Sequence, residues 1–180
     1  MTRMQTAFLR YDQKTIVLHW LTAGLIVLLW GLAQIIDVFP RDSDMRVHVR
    51  SVHIVLGVAL GFVLVTRILW RLRDGRTLPP SDTGLLNVLS HAAHYALYAL
   101  MIAEVALGLA TAWTRGDSIF NLFSIPPFDP ANTALARETR SLHGLVANLI
   151  LIVAGAHAAA ALFHHYVRRD GVLQRMLPEM

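Results

Sequence analysis

Hydrophobic and polar positions in this chain are grouped in long blocks. Four apolar stretches run through about 15–36, 52–70, 88–113 and 142–167. A hydrocarbon core about 30 Å thick takes about 20 helical residues to cross, and each stretch is about that long. Between the stretches lie chain-breaking pairs such as Pro79-Pro80 and Pro126-Pro127. The pattern predicts an all-α bundle of four transmembrane helices, forming one domain over residues 1–180.

Composition supports this prediction and limits the available chemistry. Of the 180 residues, 55% are hydrophobic, which is more apolar surface than a small soluble core could hide. We therefore expect a lipid bilayer around the helices. Cysteine is absent, which excludes disulfides, iron–sulfur clusters, thiolate-bound haem and covalently attached haem. Any metal chemistry must then depend on histidine.

The distribution of basic residues predicts the orientation, because basic residues near the ends of a span are retained in the cytoplasm. The N-terminal tail, second connection and C-terminal tail hold ten: Arg3, Arg10, Lys14, Arg67, Arg71, Arg73, Arg76, Arg168, Arg169 and Arg175. The other two connections hold six: Arg41, Arg46, Arg50, Arg115, Arg137 and Arg140. Both termini are therefore expected to be cytoplasmic. Because the arginines flank apolar spans, no nucleic-acid partner is expected despite the pI of about 10.1.

Nine histidines in 180 residues is a high count for a membrane chain, and polar side chains inside a span are costly and often functional. Successive helices run in opposite directions. His19 and His157 therefore fall in the inner half of the bilayer, and His53 and His143 fall near its outer face. The fourteen residues from His143 to His157 bring both side chains to nearly one helix face, about 21 Å apart. The depths predict two pairs, His53 with His143 and His19 with His157.

Two histidines at each of two depths suit two b-type haems, each with its iron held between two imidazoles. A zinc site would need three or four converging ligands, so two separate pairs favour haem. Taken singly, each histidine has an ordinary alternative role as an interhelical hydrogen-bonding residue or a proton relay. Gly57 and Gly61 follow His53 by one and two turns and leave space for a flat cofactor, although small residues also serve close helix packing.

Other polar residues in or near the spans have less certain roles. His91, His94 and His164 are candidates for a cofactor edge or a quinone pocket, or for simple interfacial solvation, and His94 with His164 is the preferred quinone site. His48 and His165 are expected in loops or at the interface. Glu104 is the only acid well inside a span. It serves a proton path or is a neutral acid bonded to another helix, and the sequence identifies no partner for it.

Arginines at both faces are candidates for neutralising haem propionates, since guanidinium forms paired hydrogen bonds to carboxylates. The inner candidates are Arg67 and Arg71. The outer candidates are Arg41, Arg46, Arg50, Arg137 and Arg140. Contact with lipid headgroups is the alternative role for each.

In order and spacing, these residues resemble the bacterial cytochrome b561 family, and within it the small four-helix superoxide oxidases. The similar segments are Leu18-His19-Trp20-Leu21, Phe39-Pro40-Arg41, His53 with Gly57, His91-x-x-His94, Leu142-His143 with Ala147-Asn148, His157 through Leu162, His164-His165-Tyr166 and Leu173 through Pro178. The resemblance covers nearly the whole chain. It implies that His19, His53, His143 and His157 are haem ligands, the same set that their depths predict.

The resemblance also implies a reaction, namely oxidation of superoxide outside a bacterial inner membrane, with electrons passing through two haems to ubiquinone. A basic outer surface would attract the anion. The two outer connections carry six arginines against Asp37, Asp42, Asp44, Asp117, Asp129 and Glu138, so their formal charges sum to zero. Clustering of the arginines near the outer haem would still steer superoxide.

Three alternative functions are distinguishable from this reaction. The bundle could be a haem-bearing anchor that passes electrons from a dehydrogenase or hydrogenase partner to quinone. It could be a haem-free transporter that relays protons through histidines and Glu104. It could also be a scaffold for other subunits, in which case changing the histidines would leave activity intact.

Overall fold

Four long helices make up most of the chain. The computed structural model describes residues 9–178, so Arg3, which was used to predict the orientation, lies outside the described residues. The helices are α1 Gln13–Ile36, α2 Asp44–Arg73, α3 Gly84–Arg115 and α4 Thr133–Phe163. A π-helical segment, His164–Arg168, continues α4, and a short 3-10 helix, Leu173–Met176, follows it.

All four helices are long and apolar enough to cross a membrane. Large apolar side chains remain exposed on their outer faces, among them Val27, Phe62 and Ile152. Such exposure would be unfavourable in water, but it is the expected state of a surface that contacts lipid tails. The chain is therefore an all-α membrane protein with four spans, which confirms the fold class predicted from the hydrophobic pattern.

Two helices begin well before the apolar stretches that predict them. α2 begins at Asp44 and α4 at Thr133, about two turns ahead of positions 52 and 142. Both starts are capped, because the side chain of Ser43 accepts a hydrogen bond from Arg46 N and that of Asn132 accepts one from Leu135 N. Hydrophobicity alone did not reveal these polar first turns. Four arginines that were assigned from the sequence to the outer connections therefore lie on helices, namely Arg46, Arg50, Arg137 and Arg140.

The helices pack closely as two pairs, α1 with α2 and α3 with α4, and contacts between α2 and α3 join the pairs. The best buried apolar cluster contains Leu64 of α2, Met101 of α3 and Ile150 of α4. Ile150 is seven residues from both His143 and His157. An apolar layer therefore lies at mid-height between the two depths at which the histidines occur.

The two ends of the bundle have different chain segments. At one end, called the terminal end below, Tyr11 N donates to Arg175 O at 3.1 Å and Arg175 Nη1 donates to Pro79 O at 2.8 Å. These bonds join the N-terminal segment, the α2–α3 connection and the C-terminal segment. At the opposite, distal end, Arg140 Nη2 donates to Asp37 Oδ2 at 2.7 Å, joining α4 to the α1–α2 connection.

A small antiparallel hairpin closes the distal end. Its strands are β1 Ser118–Ile119 and β2 Phe123–Ser124, and the all-α prediction did not include them. Phe120 and Asn121, between the strands, have positive φ values of 51° and 58°. The fully buried hydroxyl of Ser51 accepts a hydrogen bond from Phe120 N at 2.8 Å. This bond fixes the hairpin to α2 just before His53.

Candidate functional site

The predicted outer pair of histidines lies together near the distal end. The ring centroids of His53 on α2 and His143 on α4 are 6.1 Å apart, and the rings are nearly perpendicular at 88°. His53 Nδ1 is 3.1 Å from the carbonyl oxygen of Leu29 on α1. A carbonyl only accepts, so Nδ1 of His53 carries the proton. Its Nε2 is then left with a free lone pair.

Helix α3 supplies the surroundings of His143. Glu104 Oε1 is 3.1 Å from His143 Nδ1, and both side chains are mostly buried. One turn further along α3, a Cβ added to Gly108 would lie 3.2 Å from His143 Cε1. The absence of a side chain at Gly108 thus gives the imidazole its room. The sequence did not identify this contact, although Glu104 and Gly108 are spaced to share one helix face.

The predicted inner pair lies near the terminal end. The ring centroids of His19 on α1 and His157 on α4 are 6.3 Å apart, with an interplanar angle of 69°. His94 on α3 is closer still to His157, at 5.1 Å between centroids. Three imidazoles from three helices therefore meet here, whereas two meet at the distal pair.

The centroid separations within both pairs agree with the spacing of two imidazoles bound to one haem iron. Two imidazoles bound to opposite sides of one metal at roughly 2 Å each have ring centres about 6 Å apart. All four histidines are partly buried. The donor set is nitrogen alone, as bis-histidine ligation needs. These residues fit two b-type haems, and the ligand assignment itself stays a prediction.

The two glycines of α2 have different environments. A Cβ at Gly57 would meet no atom within 4 Å, whereas one at Gly61 would lie 3.2 Å from Val105 Cγ1 on α3. Gly61 therefore serves close helix packing. Gly57, one turn from His53, faces open space of the kind that a flat macrocycle would fill.

Arg67 interacts directly with the terminal pair. Its Nη2 is 3.1 Å from His19 Nδ1, and its guanidinium lies over the ring of Tyr98. Arginine only donates, so His19 Nδ1 accepts in this contact and its proton resides on Nε2. Iron binding through Nε2 needs the other tautomer, so Arg67 must release His19 to permit it. Arg71 lies further out, over the ring of Tyr11.

The arginines at the distal end converge on one cleft of about 610 Å³. It is lined by Asp37, Arg41, Arg46, Arg50, Arg115, Ala136, Arg137 and Arg140. The lining includes all six arginines counted in the two outer connections and a single acid, Asp37. Arg115 was not predicted as a site residue, because its place at the end of α3 gave no indication that it turns toward the others.

This cleft lies beside the distal histidine pair. Arg50 precedes His53 by three residues and Arg140 precedes His143 by three, so each is about one helical turn nearer the distal surface. A cleft that concentrates positive charge attracts small anions despite a neutral formal sum over the two connections.

Some of the charge in the arginine cleft is paired. Asp37 forms ion pairs with Arg46 and Arg140, and Asp117 lies 3.1 Å from Arg50 and 3.5 Å from Arg115. Within residues 9–178, two arginines of the cleft, Arg41 and Arg137, form no ion pair, and both are exposed. Their charges are therefore the ones most available to an incoming anion.

The two residues of the predicted quinone site have different surroundings. His94 Nδ1 is 2.7 Å from Ser90 O, and its ring faces His157. His164, in the π-helical segment, has its Nδ1 2.6 Å from Asp170 Oδ2 and its Nε2 3.4 Å from Asp82 Oδ2. Burial would raise the pKa of Asp170, but hydrogen bonding from His164 and Val172 N holds it below the ordinary value.

The remaining histidines lie toward the ends of the helices. His48 is in the first turns of α2, not in a loop, with its Nδ1 2.6 Å from Asp44 O. His165 Nδ1 accepts from Gln174 Nε2 at 3.0 Å. His91 is exposed in α3. In the described part of the chain, no three His, Cys, Asp or Glu side chains are grouped as for a metal ion.

Four spans with paired imidazoles between them define a class, the multi-span membrane cytochromes. The model of the prokaryotic cytochrome b561 family matches residues 10–179, and the chain belongs to this family. Family membership implies a b-type haem and a role in membrane electron transfer, as an oxidoreductase in a bacterial membrane. The haem-free transporter does not agree with that membership.

Curated relatives match over almost the whole chain. A Yersinia pestis protein named "Probable superoxide oxidase CybB" is 34% identical over 173 residues, covering 94% of this chain and 97% of that protein. "Cytochrome b561 homolog 1" of Escherichia coli is 29% identical over 172 residues, with the same coverage. "Cytochrome b562" of Cereibacter sphaeroides is 29% identical over 171 residues, covering 93% of this chain and 94% of that protein.

Proposed function

We propose that this protein is a dihaem cytochrome that oxidises superoxide at its distal end and reduces ubiquinone. The observation that carries the proposal is the arginine cleft one turn from the His53–His143 pair. A relative that this chain matches over 97% of its length bears the name "Probable superoxide oxidase CybB". Each haem b, when bound, supplies a one-electron couple.

The four histidines hold the two haems in this proposal. His53 and His143 bind the distal iron, and His19 and His157 bind the terminal one. The carbonyl of Leu29 keeps His53 in the tautomer that leaves Nε2 free. At the other site, Arg67 would have to release His19 and could then pair with a propionate, for which a guanidinium is well suited. Arg71, Arg46, Arg50 and Arg140 are further propionate candidates.

The arginine cleft collects superoxide. Arg41 and Arg137 provide its unpaired charge, while the ion pairs of Asp37 and Asp117 hold the neighbouring arginines in place. Electrostatic steering of this kind raises the association rate of an anion and weakens with ionic strength. Two superoxide ions lose one electron each and leave as dioxygen.

Ubiquinone binds at the terminal end, where His94 adjoins the inner pair and His164 lies near the surface. One quinone takes two electrons and two protons. His164 is suited to pass protons, because its Nδ1 and Nε2 contact Asp170 and Asp82, which lie outside the helices. In this proposal the protein lies in the bacterial inner membrane with both termini in the cytoplasm. Superoxide is then taken from the periplasm and protons from the cytoplasm.

The test is coupled superoxide consumption and ubiquinone reduction by the purified protein. We expect two superoxide ions consumed for each quinone reduced. His53→Ala and His157→Ala should each abolish quinone reduction, while Ile102→Leu, at an exposed position of α3, should leave it unchanged. If the protein stays inert with superoxide but reduces quinone once a dehydrogenase or hydrogenase partner is supplied, the anchor function is supported instead.

A further inference from the structure

Glu104 is a buried acid on α3 that the proposed electron transfer leaves without a role. Only 14% of its side chain is exposed, and its Oε1 lies 3.1 Å from Nδ1 of His143 on α4. Its Oε2 has no hydrogen-bond partner among residues 9–178, and neither does His143 Nδ1, because the close contact is not well aligned. A buried polar atom without a partner is costly. A small adjustment that aligns Glu104 Oε1 with His143 Nδ1 in a hydrogen bond would remove this cost.

We propose that Glu104 is a positioning residue that accepts a hydrogen bond from His143 Nδ1–H and lowers the reduction potential of the distal haem. This inference rests on the proposed function, in which His143 binds iron through Nε2. Binding of iron through Nε2 requires the tautomer of His143 that carries its proton on Nδ1. A carboxyl oxygen beside Nδ1 keeps the proton on that nitrogen.

The surroundings of His143 favour this role over simple helix packing. Gly108 lies one turn from Glu104 on α3 and leaves the imidazole room at its Cε1 edge. The same face of α3 thus supplies both space for the ring and an acceptor for its proton. His53, the opposite ligand, contacts a neutral carbonyl at its Nδ1. The two ligands of one iron would then have acceptors of unequal strength.

The electronic consequence follows from the acceptor strength. A carboxylate that accepts from a ligand imidazole makes the other ring nitrogen a stronger electron donor to the metal. Stronger donation stabilises the oxidised iron more than the reduced iron, so the potential falls. Outer partners of this kind typically change metal affinity or activity by about 10- to 100-fold.

The experiment is an optical redox titration of the purified holoprotein and its Glu104→Leu and Glu104→Gln variants. In Glu104→Leu we expect the reduced-to-oxidised ratio of the distal haem at fixed potential to rise about tenfold, or about 59 mV for one electron. Glu104→Gln keeps an oxygen acceptor without the carboxylate, so its shift should be smaller. The terminal haem is the internal control, and Ile102→Leu on the exposed face of α3 is the matched variant.

His143→Ala identifies which transition belongs to the distal haem and separates the possible failures. If the Glu104 variants keep both haems with the distal potential unchanged, the inference is overturned and the ligand assignment stands. If His143→Ala retains both haems, the ligand assignment fails, and the inference fails with it. A terminal haem that shifts as much as the distal one would also overturn the inference, since it would indicate a general structural effect.

Discussion

At the scale of single residues, the predicted ligands differ in what their Nδ1 atoms contact. His53 faces a carbonyl, His143 a carboxylate and His19 a guanidinium. Because these partners set the tautomer and the donor strength of each imidazole, the two haem sites should not be chemically equivalent. The fourth ligand, His157, instead has the ring of His94 beside it.

Gly108 provides a test of the distal ligand geometry. In Gly108→Ala the added Cβ would lie 3.2 Å from His143 Cε1, which is tighter than ordinary contact, so the imidazole must move. Misplacement of the ring should weaken haem binding, so we expect the distal haem content to fall or its reduced band to shift. The measurement is a reduced-minus-oxidised spectrum with a haem assay.

Gly24→Ala is the matched control for that variant, because a Cβ there meets no atom within 4 Å and the position is exposed on α1. It should keep both haems with unchanged bands. An unaltered distal haem in Gly108→Ala would contradict the ring placement described above.

The sequence predicted which histidines lie at the same height in the bundle, because height follows from counting residues along a helix of known rise. It could not predict that Glu104 faces His143, since that requires the relative rotation of α3 and α4. The same limit applies to Gly57 and Gly61, one facing open space and the other Val105. Only the packed bundle distinguishes their roles.

At the scale of helices, the polar turns at the helix ends hold the bundle in register. Asp12, the N-cap of α1, accepts hydrogen bonds from Thr15 N at 2.9 Å, Trp70 Nε1 at 2.9 Å and Arg76 N at 3.0 Å. One carboxylate thus joins the start of α1 to the end of α2 and the connection after it. Apolar patterns locate the spans but do not report such contacts, just as they did not report the polar, capped first turns of α2 and α4.

Asp12 makes the stability of the terminal end dependent on pH. Burial alone would raise its pKa, but the hydrogen bonds from Thr15, Arg76 and Trp70 together hold the pKa of this carboxyl well below its usual value. The folded-state pKa is thus below the unfolded one of about 3.9. The stabilisation is present above that pH and is lost as the pH falls below it toward the folded value.

We therefore expect Asp12→Asn to lower the melting temperature in detergent at neutral pH and to flatten its decline between about pH 5 and pH 3. Asp74→Asn, at an exposed acid near the end of α2, is the control and should retain the decline of the parent protein. A decline in Asp12→Asn as steep as the parent's would mean that another acid is responsible.

At the scale of the whole molecule, charge is arranged unevenly between the loops and the helix ends. The outer connections are neutral by sum, yet their six arginines line one cleft with a single acid. Net charge along the sequence could not reveal this, because α2, α3 and α4 bring distant arginines together in the fold. The cleft is where electrostatic steering of superoxide should originate.

Removing the unpaired charge of the cleft tests that idea. The double variant Arg41→Gln and Arg137→Gln should lower the second-order rate with superoxide by up to about tenfold at low ionic strength. It should also weaken the dependence of that rate on salt. Stopped-flow measurement over a range of salt concentrations checks both expectations.

The double variant Arg73→Gln and Arg169→Gln, at two exposed arginines near the terminal end, is the matched control and should change neither the rate nor its salt dependence. Equal effects from the control and the cleft variant would show that overall charge, and not the cleft, attracts the anion.

The central claim is that two imidazole pairs at two depths hold two haems. The most direct measurement is the haem-to-protein ratio of the purified protein and of its His53→Ala and His157→Ala variants, with reduced-minus-oxidised spectra of each. We predict two b-type haems in the parent and one in each variant, with different bands lost in the two variants. One haem in the parent, or loss of the same band in both variants, would contradict the account.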